Sequence, residues 1–117
     1  MAPMLFDELL EFGRDKKRLA KRYRSIDDDL KIVRQVLTAF PNERPPFSFQ
    51  ISNLGFDTCV IKVKKIACRS IPGKGVNTGL RLVYAYFIEE CRITFIELYH
   101  KSDKDNEDRD RILRNFG

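Results

Sequence analysis

"LRLVYAYFIEECRITFIELYHKS", Leu80 to Ser102, is the stretch on which the fold turns. It reads as two strands, Leu80 to Ile88 and Cys91 to Tyr99, folded on a two-residue turn at Glu89 and Glu90. Apolar residues fall on both faces of each strand, which predicts a central position in a sheet covered on one side by helices. Two features cut across that apolar pattern. Arg81 lies inside the first strand, and the second ends on Tyr99, His100, the only histidine, and Lys101.

Upstream lies "CVIKVKKIACRS", Cys59 to Ser70. Ile61 and Val63 alternate with Lys62 and Lys64, but Ile66 and Cys68 then take the parity of the lysines. A bulge at Lys64 and Lys65 restores the alternation and sends Lys62, Lys64 or Lys65, and Arg69 outward together. The connecting "SIPGKGVNTG" is rich in glycine but lacks the spacing of a Walker loop, and no strand-loop-helix context follows, so it reads as a flexible connection. Earlier still, "PNERPPFSFQISNLGFD", Pro41 to Asp57, is a loop or extended connection broken by prolines and Gly55.

The N-terminal third is helical in pattern. Ile26, Leu30, Val33, Leu37 and Phe40 recur at spacings of four and three, the period of a helix with one buried face, and Pro41 ends it. Ser25 is the expected N-cap, with Asp28 at the third helical position and Asp27 and Asp29 in the positive first turn. Before it, from Arg14, a short helix carries a thin stripe of Phe12, Leu19 and Tyr23 and an outer surface of Arg14, Lys17, Arg18, Lys21 and Arg22. The two helices form a hairpin joined near Arg24 and Ser25. Met4 to Phe12 fits a first strand or an irregular lead-in equally. The tail from Ser102 is polar until Ile112, Leu113 and Phe116, a short and thinly anchored helix. The expected fold is therefore α+β: a three- to four-stranded, mostly antiparallel sheet, an N-terminal helical hairpin on one face and a short C-terminal helix, all in one domain of residues 1–117.

The 117 residues hold 22 Lys and Arg against 17 Asp and Glu, and the excess of +5 is uneven. Arg14 to Arg24 has seven cations and one acid; Thr58 to Ile88 has six cations and no acid. Two acid-poor basic stretches suit an anionic polymer or an acidic partner protein. Cys59, Cys68 and Cys91 form no Cys-x-x-Cys pair and have no zinc-ligand spacing to His100, so they read as reduced, mostly buried residues of an intracellular protein with no metal site. "MAPMLFDELLEF" has no basic region leading into an apolar run, and no window reaches the length of a membrane span, which makes a cytoplasmic location the expectation.

In this order of elements, "GKGVNTGLRLVYAYFIEECRITFIELYHKSDKD" resembles the segment of the RelE/ParE toxin superfamily in which a glycine-rich loop leads to an Arg-hydrophobic-hydrophobic-Tyr strand, an acidic turn and a Tyr-x-Lys-Ser ending. "FGRDKKRLAKRYRSIDDDL" is similar to the family's basic first helix leading into an amphipathic second. The resemblance covers about Phe12 to Asp105 and rests on the ordered combination. Members similar to RelE, HigB and YoeB cut messenger RNA in the ribosomal A site, without a metal, by attack of a ribose 2′-hydroxyl on the adjacent phosphate. Such a role implies a cognate antitoxin, the ribosome and mRNA as partners, and neither a membrane nor a small-molecule cofactor. The catalytic candidates it implies are Arg81, His100, Tyr99 and Lys64. Lys62, Lys65, Arg69 and Lys101 would bind the RNA backbone. Neither Glu97, inside a strand, nor Asp103, beyond it, is placed as the general base; a lysine base would need its proton affinity lowered by neighbouring cations. The alternatives are a ParE-like protein that binds DNA gyrase and a basic nucleic-acid- or protein-binding module. Arg81 and the Tyr99-His100-Lys101 group, on adjacent strands, favour the nuclease.

Overall fold

The computed structural model describes residues 3–117, so Met1 and Ala2, at the start of the expected domain and of the stretch searched for a leader, lie outside the described residues. The elements run β1 (Leu5–Glu8), α1 (Leu10–Ala20), α2 (Ile26–Ala39), β2 (Ser48–Gln50), β3 (Cys59–Val63), β4 (Leu80–Phe87), β5 (Arg92–His100) and α3 (Arg109–Phe116). The class is α+β, as the pattern implies, but the sheet has five strands rather than three or four, in the order β1-β5-β4-β3-β2. The additional strand lies in the proline-rich connection: β2 spans three residues at the sheet edge, where upstream prolines cost no ladder bonds. β1 pairs parallel with β5, and every other pair is antiparallel.

β4 and β5 are central, as their two apolar faces require. Their turn is longer than the two-residue form: Ile88 to Cys91 make it, with the Cys91 amide donating to the Ile88 carbonyl and Cys91 at φ 51°. The bulge is also elsewhere. β3 pairs with β4 without a break and ends at Val63, so Lys64 and Lys65 form no bulge. The irregularity falls between Val83 and Tyr84 of β4, which face Glu97 and Phe95, leaving Ile96 as the extra residue of β5. Ile96 packs on one side of the sheet and Phe95 on the other, so the bulge resets β5's alternation before Leu98 and Tyr99.

Two apolar layers result. Ile61, Leu82, Tyr84, Phe95 and Leu98 meet Phe12, Leu19, Ile26, Leu30 and Leu37 of the helical hairpin. Val60, Val83, Ala85, Ile96 and Tyr99 meet Ile112 of α3 on the opposite face. α1 begins at Leu10 instead of Arg14, because the chain turns directly from the Leu9 amide, bonded to the Phe95 carbonyl, into the helix. Ser25 precedes α2 as expected but makes no side-chain cap. Its hydroxyl donates to Asp29 at 2.6 Å and accepts from the Ser70 amide at 2.9 Å, tying α2 to the loop after β3.

The C-terminal helix is better anchored than its sparse apolar residues suggest. Beyond β1, the edge of β5 is closed by Asp15, which accepts from the Leu98 amide at 3.1 Å and from Arg111 Nη1 at 2.7 Å. Arg111 also donates to the Ile96 carbonyl at 2.8 Å, so one buried ion pair ties α1, the sheet edge and α3.

Candidate nucleic-acid interface

Pairing across β4 and β5 sets Arg81 directly opposite Tyr99, and pairing across β3 and β4 sets Lys62 opposite Val83. Cross-strand partners share a face, so Lys62, Arg81 and Tyr99 lie together on the side of the sheet that α3 covers. Among the described residues Arg81 meets no carboxylate within ion-pair distance; its Nη1 donates to the carbonyls of Lys64, at 3.0 Å, and Leu80, at 3.3 Å. Lys64 is exposed at the end of β3, with its ammonium 5.3 Å from the ring centre of Phe49. The Tyr99 side chain is 3% exposed, and its buried hydroxyl makes no hydrogen bond of close geometry but lies near enough to the Lys62 ammonium to interact with it. Burial pushes this phenol up, and the nearby charge of Lys62 offsets only part of the rise.

Over these residues runs a strap, Asp103 to Asp108, that the sequence did not single out. It carries no apolar side chain and is held by polar links. Asp103 meets Arg22 at 3.4 Å, Lys104 meets Glu97, Glu107 meets Lys62 at 2.8 Å, and the Asp108 amide donates to Glu97 at 2.8 Å. Glu97 is the buried carboxylate that the bulge turns toward this face, and it anchors the strap from beneath. The Lys62–Glu107 pair is the most enclosed link to β3, with side chains 14% and 8% exposed. Burial by itself lowers the Lys62 ammonium, but the Glu107 hydrogen bond and the charges of Tyr99 and Glu107 more than offset this, so it stands above the ordinary lysine value. Burial by itself raises the Glu107 carboxyl; the Lys62 bond outweighs it and holds the group below the ordinary value. Lys62 is thus a persistent cation and unsuited to the role of a lysine base. Beside the strap a cleft of about 220 Å³ is lined by Arg18, Arg22, Tyr99, Asp103 and Lys104.

The remaining candidates are placed elsewhere. His100 pairs with Leu80 and stacks on Tyr23, with ring centres 5.9 Å apart, on the helix side. Its Nδ1 accepts from the Ser102 amide at 3.0 Å, so the proton sits on Nε2, which donates to the Thr78 carbonyl at 2.9 Å. Both ring nitrogens are occupied. A Cβ at Gly79, φ +88°, would lie 2.7 Å from His100 Nε2, so the glycine makes room for the ring. Lys65 bonds Asn77 at 2.5 Å and Arg69 bonds Asp28 at 2.9 Å; the two turn toward α2 and away from Lys62. Because β3 does not bulge, these cations do not form one outward row. Lys101 is exposed in the turn after β5.

No three His, Cys, Asp or Glu side chains among the described residues converge to hold a metal ion, and no helix there is long and apolar enough to cross a membrane. The chain matches no protein-family model, and no curated protein matches it.

Proposed function

We propose that the α3-covered face is an RNA-cleaving site and that the protein is the toxin of a type II toxin-antitoxin system, cutting messenger RNA on the ribosome. The observation that carries this reading is the pairing of Arg81, which has no carboxylate partner among the described residues, with Tyr99, whose buried hydroxyl makes no close hydrogen bond and is drawn only to the neighbouring ammonium of Lys62. Perturbed groups gathered around a cation without a carboxylate, Arg81, and a second held by a displaceable one, Lys62, suit a phosphoryl reaction. The ordered resemblance to RelE-like toxins supplies the ribosome, the mRNA and a cognate antitoxin as partners, and with them a cytoplasmic setting.

In the reaction a ribose 2′-hydroxyl gives its proton to a solvent water, and its oxygen bonds to the adjacent phosphorus. The bond to the 5′-oxygen breaks, leaving a 2′,3′-cyclic phosphate and a 5′-hydroxyl. Arg81 would grip two phosphate oxygens, Lys62 and Lys64 would balance the charge that gathers on the phosphorane, and Tyr99, a phenol held protonated by burial, would give its proton to the departing 5′-oxygen. Glu107 occupies Lys62 as a phosphate would, so RNA must displace the strap to engage it. His100 acts through Tyr23 and Thr78 as a positioning residue for the end of β5.

The test is incubation with programmed ribosomes whose A site is empty, with a ribosome-free control, followed by end-group analysis of the cut RNA. Cyclic phosphate and 5′-hydroxyl ends made only with ribosomes support the proposal. Absence of cleavage by folded protein overturns it and directs attention to gyrase inhibition.

A further inference from the structure

Phe49, in the edge strand β2, is 38% exposed beside the proposed cleavage site. Its register partner is Lys62, so it lies on the α3-covered side of the sheet with Lys62, Arg81 and Tyr99. One step past the Val63–Leu82 pair, Lys64 comes opposite Arg81, whose guanidinium donates to the Lys64 carbonyl at 3.0 Å. The Lys64 ammonium instead stands 5.3 Å from the centre of the Phe49 ring. An aromatic ring, an ammonium and a guanidinium therefore follow one another across β2, β3 and β4. Among the described residues no hydrogen bond or ion pair joins the strap to any of the three, so this end of the face is open while Glu107 still holds Lys62.

An exposed ring set among cations suits a single strand of nucleic acid, because the cations take phosphates while any base offers the ring a flat face. β2 and β4 stand two strand spacings apart, about 10 Å, so a base lying on Phe49 belongs to a nucleotide close to the phosphate at Arg81. A base stacked on an aromatic ring is held more tightly than an ammonium over an exposed one. The base therefore wins the ring, and the displaced ammonium is left next to the nearest phosphate. We propose, on the RNA-cleaving reading of this face, that Phe49 stacks the nucleobase beside the scissile phosphate and that the seated base sends Lys64 from the ring to that phosphate, next to Arg81. Phe49 thereby selects RNA that is single-stranded and unstacked at this point, since the faces of a base inside a duplex are covered by its neighbours.

The probe is a fluorescent single-stranded RNA of about 10 nucleotides, 2′-O-methylated throughout so that it cannot be cut, together with copies that lack one base at successive positions. Anisotropy with the full chain at low salt should show binding about tenfold weaker for Phe49→Leu, which keeps apolar bulk without a ring, and close to wild type for Phe49→Tyr. One of the abasic copies should weaken wild type by the same factor and cost Phe49→Leu nothing more. Circular dichroism melts check that the variants are folded. Phe49→Leu binding as tightly as wild type, Phe49→Tyr binding as weakly as Phe49→Leu, an equal loss on a duplex of the same sequence, or no binding by wild type overturns the inference. Cleavage on A-site-empty ribosomes that is lost with Arg81→Ala but unchanged in Phe49→Leu also overturns it and leaves the RNA-cleaving reading standing; absence of cleavage by wild type overturns that reading.

Discussion

Tyr99 separates structural from functional importance more sharply than any other residue. Its hydroxyl makes no close hydrogen bond and only a loose interaction with the Lys62 ammonium, so Tyr99→Phe removes a desolvated group that stabilises little. Denaturant unfolding should show stability unchanged or raised by up to about 1 kcal/mol. Cleavage on ribosomes should nevertheless fall about 100-fold if the phenol is the proton donor. Arg81→Ala breaks only bonds to two carbonyls from a half-exposed side chain, so it should cost under about 1 kcal/mol of stability while removing cleavage by about 100-fold or more. That Arg81 and Tyr99 lie on adjacent strands was legible, but their direct pairing was not: unbroken alternation from the turn sets Arg81 opposite Leu98, and only the extra residue Ile96 brings Tyr99 to Arg81's side of the sheet. His100's separation from Tyr99 follows from alternation alone. Its occupied nitrogens do not, since Ser102 and Thr78 reach it through a turn and a loop that carry no periodic signal.

At the scale of elements, the strap is the working part that the sequence hid. Residues 103–108 read as a polar tail because no apolar period marks them; what holds them is Glu97, whose position depends on the bulge at Ile96. Apolar residues on both sides of that point conceal a bulge, whereas the lysine alternation in β3 suggested one that is not there. β2 was missed for a related reason, since three residues are too few to show a period. Glu107→Gln should loosen the strap, cost about 1–3 kcal/mol, quicken exchange of the Asp108 amide, and strengthen binding of single-stranded RNA several-fold by freeing Lys62. The pH dependence has a definite sign. Glu107 is held below its ordinary value of 4.5, so its contribution is present above that value and is lost as pH falls through the depressed one. Lys62 stands above 10.5, so its contribution is full below that value and is lost as pH rises through the raised one. Melts of wild type and Glu107→Gln should therefore differ by a constant margin from about pH 5 to about pH 9, and the difference should shrink as pH falls below 4.5 through Glu107's depressed value. The Asp15–Arg111 link is the counterpart that keeps α3 in place, and Asp15→Ala should cost about 1–3 kcal/mol in the same melts by removing Arg111's shortest ion pair and the acceptor of the Leu98 amide, while Glu11 and Asp108 stay near the guanidinium.

For the whole molecule, the cations part between the two sides of the sheet. The sequence shows the basic excess plainly, but not that Lys62 and Lys64 serve one side of the sheet while Lys65 and Arg69 serve the other; that division comes from β3 ending at Val63. RNA held by Lys62, Lys64 and Arg81 should lose affinity with salt at a log-log slope of about −2, three contacts to a single strand. The fold itself was legible in its central hairpin and amphipathic α2, where long periods leave one solution, and illegible at both sheet edges, where β1 and β2 are short and their pairing is set by distant chain. The decisive measurement is cleavage of mRNA on A-site-empty ribosomes by wild type, Arg81→Ala, Tyr99→Phe and His100→Asn in parallel, each checked for folding. An RNA-cleaving site on the α3-covered face requires cuts by wild type, loss with Arg81→Ala and Tyr99→Phe, and survival of most activity in His100→Asn. Full activity without Arg81 and Tyr99, or loss confined to His100→Asn, would place the chemistry elsewhere and contradict it.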